Sequence, residues 1–243
     1  TAPNAADINL KATATRNGFI YGDIDVSADD AITVSNGETK FDGVVNPEGE
    51  LEGSLTIASG GTLYFVSQPH ETVSYNGASN FNSWNDGPAG ANVDSFTVES
   101  NGKLAIQMPL TNGVSGPLLA PAALSLSLGS YPVITANTAV LGAGSILEVR
   151  PSSWNGLYGN GYTLDNIIDA DSLTGTFGSV VTHTGTPLLS LAASYDVDNN
   201  VDLTVTRVAF GAVNGLTSNQ SAVGGGIEKV YSTDLTGDFA KLL

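Results

Sequence analysis

The sequence predicts an all-β fold in the form of a β-solenoid, on three observations. Only 13% of the residues are charged, about half of the usual ~25%, and Ser, Thr, Asn and 29 Gly take their place. Short β-branched or alternating runs bounded by Gly, Asn and Asp recur along the chain, whereas helical periodicity is nearly absent before residue 215. A Gly-containing pattern at the start of several of these runs repeats at long intervals, as stacked coils with similar corners would produce.

The alternating and β-branched runs are predicted to be strands. They are Phe19–Val26, Ala31–Val34, Ser54–Ile57, Thr62–Val66, Ser95–Val98, Lys103–Met108, Val133–Ile134, Ser145–Val149 and Val201–Val208.

The repeated pattern consists of a Gly turn, one polar or small residue and an apolar strand, in Ser59–Leu63, Ser100–Leu104 and Ala143–Leu147. We match the glycines at 61, 102 and 144, which are 41 and 42 residues apart. This interval is about twice the ~20 residues of a typical solenoid coil. Ordinary Gly turns in a β-sandwich are the alternative, because several Asn-Gly and Asp-Gly pairs could form antiparallel hairpins.

Two aromatic, Gly- and Asn-rich segments interrupt the rhythm, at 67–91 and 152–162. We expect both to be loop excursions from a regular scaffold. Their aromatic side chains would cover a coil edge or, in a second interpretation, stack on the rings of a glycan.

The carboxyl-terminal part changes character. Asp198, Asn199 and Asn200 lie between two apolar runs, which predicts a hairpin that caps the last open edge of the solenoid. After Phe210 the pattern becomes helical, with Thr217 or Ser218 as the N-cap, and indicates a linker helix.

The charge balance excludes one class of partner. Eight Lys and Arg stand against 24 Asp and Glu, so a net charge of −16 repels the phosphates of nucleic acid. The chain has no Cys, which excludes disulfides and thiolate metal sites and is compatible with export in an unfolded state. It begins at Thr1 without a leader-like segment, which we interpret as a piece of a longer protein.

Catalytic residue types are scarce. With only His70 and His183, no Cys and no Gly-x-Ser-x-Gly motif, a Ser-His-Asp hydrolase is not expected, nor is any cofactor. Asp165, Asp169 and Asp171 form an acidic run with Arg150 as the nearby base, a grouping that a polysaccharide lyase could use.

One alternating run between 196 and 202 has the oxygen ligands that begin a calcium loop. Val201 replaces the expected Gly at the sixth position and Arg207 the closing Glu at the twelfth, so a solvated hairpin tip is the preferred interpretation and no metal site is predicted. The four candidate ligands are Asp196, Asp198, Asn200 and Asp202.

The carboxyl-terminal part of the chain, from about residue 86 to 243, resembles the end of bacterial autotransporter passenger domains, just before their outer-membrane β-barrel. The resemblance rests on a Tyr-Asp and Val-x-Leu-x-Val hairpin followed by Thr-x-Asn-Gln-x-Ala-Val. The matching segments are Asp86–Ala89, Gly102–Ile106, Asn166–Ala170, Leu173–Phe177, Tyr195–Asp196, Val201–Val205 and Leu216–Val223. Gly224–Gly226 departs from the Ala-rich helix of such proteins.

The resemblance implies a right-handed parallel β-helix stalk over 1–164, an autochaperone-like capping block over 165–213 and a linker over 214–243. Its implied partner is the chain's own outer-membrane β-barrel, and its implied place is the bacterial surface. It also implies a non-enzymatic role in folding and display, to which the loop excursions at 67–91 and 152–162 could add an adhesive face. A carbohydrate-active β-helix enzyme, a polysaccharide lyase or hydrolase, is the alternative to this interpretation. The residues expected to pack and cap are Phe177, Tyr195, Leu203, Val205, Phe210, Asn219 and Gln220.

Overall fold

A computed structural model describes residues 6–12, 17–66, 89–107, 131–150, 162–183 and 188–231. In these ranges the protein is mostly strand, with a single α-helix and a 3₁₀ turn at Phe210–Ala212 near the carboxyl end. The elements are β1 (Asp7–Lys11), β2 (Gly18–Tyr21), β3 (Ala31–Asp42), β4 (Val44–Val45), β5 (Ser54–Ile57), β6 (Gly61–Phe65), β7 (Gly90–Val98), β8 (Lys103–Gln107), β9 (Val133–Leu141), β10 (Ile146–Arg150), β11 (Tyr162–Gly175), β12 (Ser179–Thr182), β13 (Leu189–Tyr195), β14 (Asn200–Arg207) and α1 (Ser218–Val230).

The strands form two long parallel ladders. The first runs in the order β1, β3, β5, β7, β9, β11, and the second in the order β2, β3, β6, β8, β10, β12. β3 belongs to both ladders, because Ala31–Val34 pair with β5 and Gly37–Phe41 pair with β6. The result is one nearly closed sheet of parallel strands, as in a solenoid. The predicted all-β class is confirmed, and the parallel pairing excludes the sandwich alternative for the described residues.

The core lies between the two ladders and consists of apolar side chains aligned from coil to coil. In the second ladder Leu63, Leu104 and Leu147 occupy one row, and each is at most 2% exposed. Alternation of inward apolar and outward polar residues, with period two, places these side chains inside. Burial of such rows is the main favourable term in the stability of the stack.

The repeated Gly pattern marks the corner between the two ladders. The chain has a positive φ at Gly60, Asn101 and Gly144, which Gly and Asn tolerate best. Strand pairing aligns Gly61 and Gly102 with Ser145, so the match to Gly144 was wrong by one residue. The residues with positive φ, Gly60, Asn101 and Gly144, are nevertheless aligned with one another, so the backbone turns at the same place in each coil although the residue types differ.

The long repeat interval is a single coil and not two. Ile57 pairs directly with Val98, and Val98 pairs directly with Leu141. A coil without an insertion is shorter, since Val34 pairs with Ile57. The expected equivalence of the interval to two coils is therefore wrong, because these paired residues of adjacent strands are themselves 41 and 43 positions apart (98 − 57 and 141 − 98).

Most of the two predicted loop excursions lies outside the described residues, but their ends are strands. Gly90 and Ala91 begin β7 and are buried, and Tyr162 begins β11. A Cβ on Gly90 would approach the carbonyl oxygen of Val133 to 2.5 Å. Gly90 thus permits close strand contact, a role that the sequence alone could not distinguish from a loop glycine.

Asn46 joins neighbouring coils at a second corner. Its Oδ1 accepts from the N–H of Val26 at 2.8 Å, and its Nδ2 donates to the carbonyls of Glu52 and Asn92 at 3.0 and 2.8 Å. Asn92 reciprocates by donating its Nδ2 to the Asn46 carbonyl at 2.9 Å. Asn46 is 3% exposed, so these bonds satisfy a buried polar group at a left-handed backbone position.

Candidate functional site

The hairpin predicted from the Asp-Asn-Asn run closes the carboxyl-terminal edge of the first ladder. β13 and β14 are antiparallel, and β14 pairs antiparallel with β11, placing Leu203 opposite Leu164 and Val201 opposite Ile168. Leu203 and Val205 are at most 1% exposed. β14 thus covers the backbone donors and acceptors at one end of β11, and its apolar face continues the core.

Tyr195, at the end of β13, connects the hairpin to the segment between β11 and β12. Its Oη accepts a hydrogen bond of 2.8 Å from the backbone N–H of Phe177, whose ring is buried. Burial raises the pKa of Tyr195, and the N–H of Phe177 partly opposes that rise. The bond stabilises the position of the hairpin against the last coil.

At the hairpin tip, polar side chains that were considered as calcium ligands make hydrogen bonds to backbone groups of the protein. Asp196 Oδ1 accepts from the N–H groups of Asp198 and Asn200, both at 3.0 Å. Asp202 Oδ1 accepts from the N–H of Asn166 at 2.8 Å, and Asn199, at φ 65°, donates to the carbonyl of Asp171 at 2.9 Å. Among the described residues no group of three or more His, Cys, Asp and Glu is arranged to hold a metal ion.

Helix α1 packs on the end of β14 through a cation, a carboxylate and two rings. The Arg207 guanidinium makes a bidentate ion pair with Glu228 and lies 4.4 Å from the ring centroid of Tyr231. Glu228 also accepts from the N–H of Phe210 at 3.0 Å, and the ring of Phe210 meets Tyr231 edge-on at 5.3 Å. The hydrogen bond from Arg207 lowers the pKa of Glu228.

The helix begins with the predicted cap. The side chain of Thr217 accepts from the N–H of Gln220, and Gln220 Oε1 accepts from the N–H of Thr217 at 2.9 Å, which is a capping box. Gln220 thus satisfies backbone groups at the first turn of α1. Asn219 is exposed on the first turn, and its side chain makes no hydrogen bond within the described part of the chain.

A second site, which sequence reasoning did not predict, is a group of charged side chains on the outward face of the second ladder. We call it the cross-coil cluster: Glu38, Lys103, Glu148, Arg150 and His183. Glu148 is 3% exposed and accepts from Lys103 Nζ at 2.5 Å and Arg150 Nε at 2.6 Å, and it contacts His183 Nδ1 at 2.7 Å. Arg150 also donates to Glu38 at 2.6 Å, so the cluster joins strands β3, β8 and β10 and the residue that follows β12.

Arg150 and Glu38 together span three strand spacings, from β10 across β8 and β6 to β3. Glu148 lies beside Ala105 on β8, and Ala105 lies beside Tyr64 on β6. Ala105 has the smallest side chain that keeps a Cβ, and the guanidinium rests 4.1 Å from the ring centroid of Tyr64. The cluster is thus a brace across successive coils.

The electrostatics of the cluster favour a structural role. Burial opposes ionisation of Glu148, but the hydrogen bond from Lys103, the charge of Arg150 and the remaining hydrogen bonds outweigh it and lower the pKa of Glu148. Burial would likewise lower the pKa of Arg150, and Glu38 and Glu148 raise it instead. Each buried charge has a partner, which is the condition under which buried ions are tolerated.

The predicted lyase grouping is not assembled. Arg150 makes its ion pairs with Glu148 and Glu38, whereas Asp165, Asp169 and Asp171 lie on β11 in the other ladder. The grouping was inferred from separation along the chain, which does not report the ladder to which a residue belongs. His70 lies outside the described residues, and His183 belongs to the cross-coil cluster.

The chain matches no family model and no curated protein. Within the described ranges no helix is both long enough and apolar enough to cross a membrane.

Proposed function

We propose that the protein is a stalk and folding-nucleating segment from the passenger of a bacterial autotransporter, exported to the outer surface. On this proposal the stack is a right-handed parallel β-helix, residues 165–213 fold first, and residues 214–243 lead to the chain's own outer-membrane β-barrel. The sequence resemblance motivates the family, and the role in folding is argued from the carboxyl-terminal cap.

The observation that supports the folding role is the antiparallel closure of the stack by β13 and β14. Residues 188–207 are contiguous, so the hairpin can form at small loop-closure cost, and it then offers β14 as a template for β11. Parallel strands, in contrast, must close a whole coil before they pair. A block that pairs locally is the favoured start of a stack in which each later coil adds to a finished edge.

Refolding kinetics of two matched variants test this order. Leu203 and Leu55 are both buried leucines, Leu203 on β14 of the cap and Leu55 on β5 in an early coil of the first ladder. Replacing either with Ala should lower the free energy of unfolding by about 2–5 kcal/mol. We expect Leu203→Ala to slow refolding by most of that amount, because the cap is formed in the transition state, and Leu55→Ala to act mainly by faster unfolding.

The opposite pattern, with slow refolding for Leu55→Ala and unchanged refolding for Leu203→Ala, would show that folding starts at the amino-terminal coils.

The proposed role in surface display is tested by a separate measurement. Leu203→Asp should reduce surface exposure of the passenger in the full-length exported protein, as assayed by protease accessibility on intact cells, whereas Val197→Asp, at an exposed apolar residue of the same hairpin, should not.

A further inference from the structure

The outward face of the first ladder carries two straight columns of small, uncharged side chains. Strand pairing aligns them from β3 through β5, β7 and β9 to β11, and the register is unbroken at these positions. One column consists of Ala31, Ser54, Ser95, Thr138 and Ser172, and the other of Thr33, Thr56, Thr97, Val140 and Thr174. We call the two columns the hydroxyl array.

The hydroxyl array points out of the sheet. Leu55 lies between Ser54 and Thr56 and is 1% exposed, whereas both of these neighbours are partly exposed. The same alternation occurs in all five strands, and the members on β9 and β11 are exposed. Within the described residues the threonine hydroxyls of the second column make no side-chain hydrogen bond, so they are open to an external partner.

The composition of the hydroxyl array is not that of every outward face in this molecule. Thr is common in strands generally, but aligned outward positions of the second ladder carry Glu38, Lys103 and Glu148. No member of the array is charged, although the protein has a net charge of −16. Acidic residues such as Asp94 and Glu99 lie beside the columns and not within them. The array is therefore a neutral surface on a strongly acidic protein.

The spacing of the hydroxyl array is regular in two directions. Neighbouring strands lie about 4.8 Å apart, and successive outward residues of one strand lie about 6.6 Å apart. Thr and Val are β-branched and restricted at χ1, so their methyl groups are held in place, and Val140 keeps the shape of Thr in its column. The result is a flat grid of methyl and hydroxyl groups.

We propose that the hydroxyl array binds the surface of ice. Water oxygens on the prism faces of ice form a grid of similar dimensions, so the threonine hydroxyls can replace lattice waters while the methyl groups enter the hollows between them. Charged groups fit poorly against such a lattice, because their hydration shells must be removed. This binding role is independent of the folding role proposed above.

Crystalline cellulose is the competing occupant, since it also presents a flat, repeating, hydroxylated surface. Sugar rings are bound by proteins largely through stacking on aromatic side chains. The hydroxyl array contains no aromatic residue. Its composition therefore favours ice.

Inhibition of ice recrystallisation by the purified chain, in frozen sucrose solution, tests the proposal. We expect the parent protein to keep the ice grains small. Thr56→Tyr and Thr97→Tyr should each raise the protein concentration needed for this effect by about tenfold or more, because a raised ring separates the flat grid from the ice. Thr206→Tyr, at an exposed threonine of β14 outside the array, is the matched control and should act as the parent does.

The urea midpoint of each variant shows whether its fold is kept. Thr97→Lys, whose flexible side chain can extend away from the sheet, replaces a Tyr variant that unfolds. Grain growth equal to that without protein, or equal potency of the parent and the folded array variants, overturns the proposal. Binding to microcrystalline cellulose that Thr56→Tyr abolishes, without any effect on ice, also overturns it and assigns the array to a crystalline polysaccharide.

Discussion

Single residues decide how closely the backbone segments of this protein approach one another. Gly224 lies where helix α1 crosses the 3₁₀ turn, and a Cβ there would come within 2.6 Å of the carbonyl carbon and oxygen of Phe210. Gly211 faces the same crossing, and Ser221 Oγ donates to its carbonyl at 2.6 Å. The Gly-rich run that weakens the helical pattern in the sequence is therefore a packing feature.

The glycines of this run should respond to alanine with opposite signs. Gly224→Ala should destabilise the contact between α1 and the 3₁₀ turn, because the clash is with backbone that cannot move aside. Gly226 has open space at the Cβ position in the same helix, so Gly226→Ala should increase helix stability by about 0.5–1 kcal/mol. Hydrogen exchange of the α1 amides measures both changes. Equal effects at the two positions would contradict the close approach.

At the scale of elements, polar contacts at the ends of β13 and β14 join the carboxyl-terminal hairpin to the elements beside it. Tyr195 is attached to the segment before β12, and Arg207 is attached to α1. Neither bond follows from hairpin pairing alone. The Tyr195 bond fixes β13 relative to the last coil, and the Arg207 ion pair fixes α1 relative to β14.

Loss of the Tyr195 hydroxyl should loosen the hairpin without changing its shape. Tyr195→Phe leaves the N–H of Phe177 without its acceptor, at a cost of about 1–3 kcal/mol if the donor stays buried. Urea unfolding followed by circular dichroism should show a lower midpoint. Tyr21→Phe, at an exposed tyrosine, is the control and should leave the midpoint unchanged. A Tyr195→Phe midpoint equal to that of the parent would show that water replaces the bond.

Over the whole molecule, the cross-coil cluster joins residues that are far apart in sequence. Arg150 and Glu38 are 112 positions apart and meet across the outward face of the second ladder. In a stack where each coil otherwise contacts only its neighbours, such a brace increases cooperativity between distant coils.

The cluster should make stability depend on pH on the acid side. The pKa of Glu148 is lowered in the folded state, so its contribution is fully present above its unfolded-state pKa, near 4.5, and is lost as the pH falls through the folded-state pKa. Glu148→Gln should reduce the free energy of unfolding at pH 7 by about 1–3 kcal/mol, because Arg150 loses one buried partner and keeps its ion pair with Glu38. It should also flatten the decline of stability below pH 4.5.

Urea titrations from pH 3 to pH 7 measure both effects. Glu48→Gln, at an exposed position, provides the control for the removal of a single carboxylate. An acid limb of equal steepness in Glu148→Gln and the parent would assign the pH dependence to other carboxylates.

Much of the local structure follows from the sequence. The alternation in Leu63–Phe65 and Leu203–Val205 determines which side chains face the core, because it matches the period of a strand. The Asp-Asn-Asn turn and the Thr217 cap follow from short-range hydrogen bonding by side chains, which depends on neighbouring residues alone. β1, the whole of β11 and most of β9 were missed because their polar outward residues and Asn resemble loop composition.

Only the tertiary structure decided which coils are neighbours and which charges meet. The number of residues between paired positions differs from coil to coil, so equal spacing along the chain does not mean equal position in the stack, as the offset of Gly144 from Gly61 and Gly102 shows. For the same reason, neither the pairing of Arg150 with Glu38 nor the alignment of the threonines in the hydroxyl array could be inferred from spacing. Strand register is set by the packing of whole coils. It brings residues side by side, and the number of positions between two residues in the sequence does not predict whether they become neighbours.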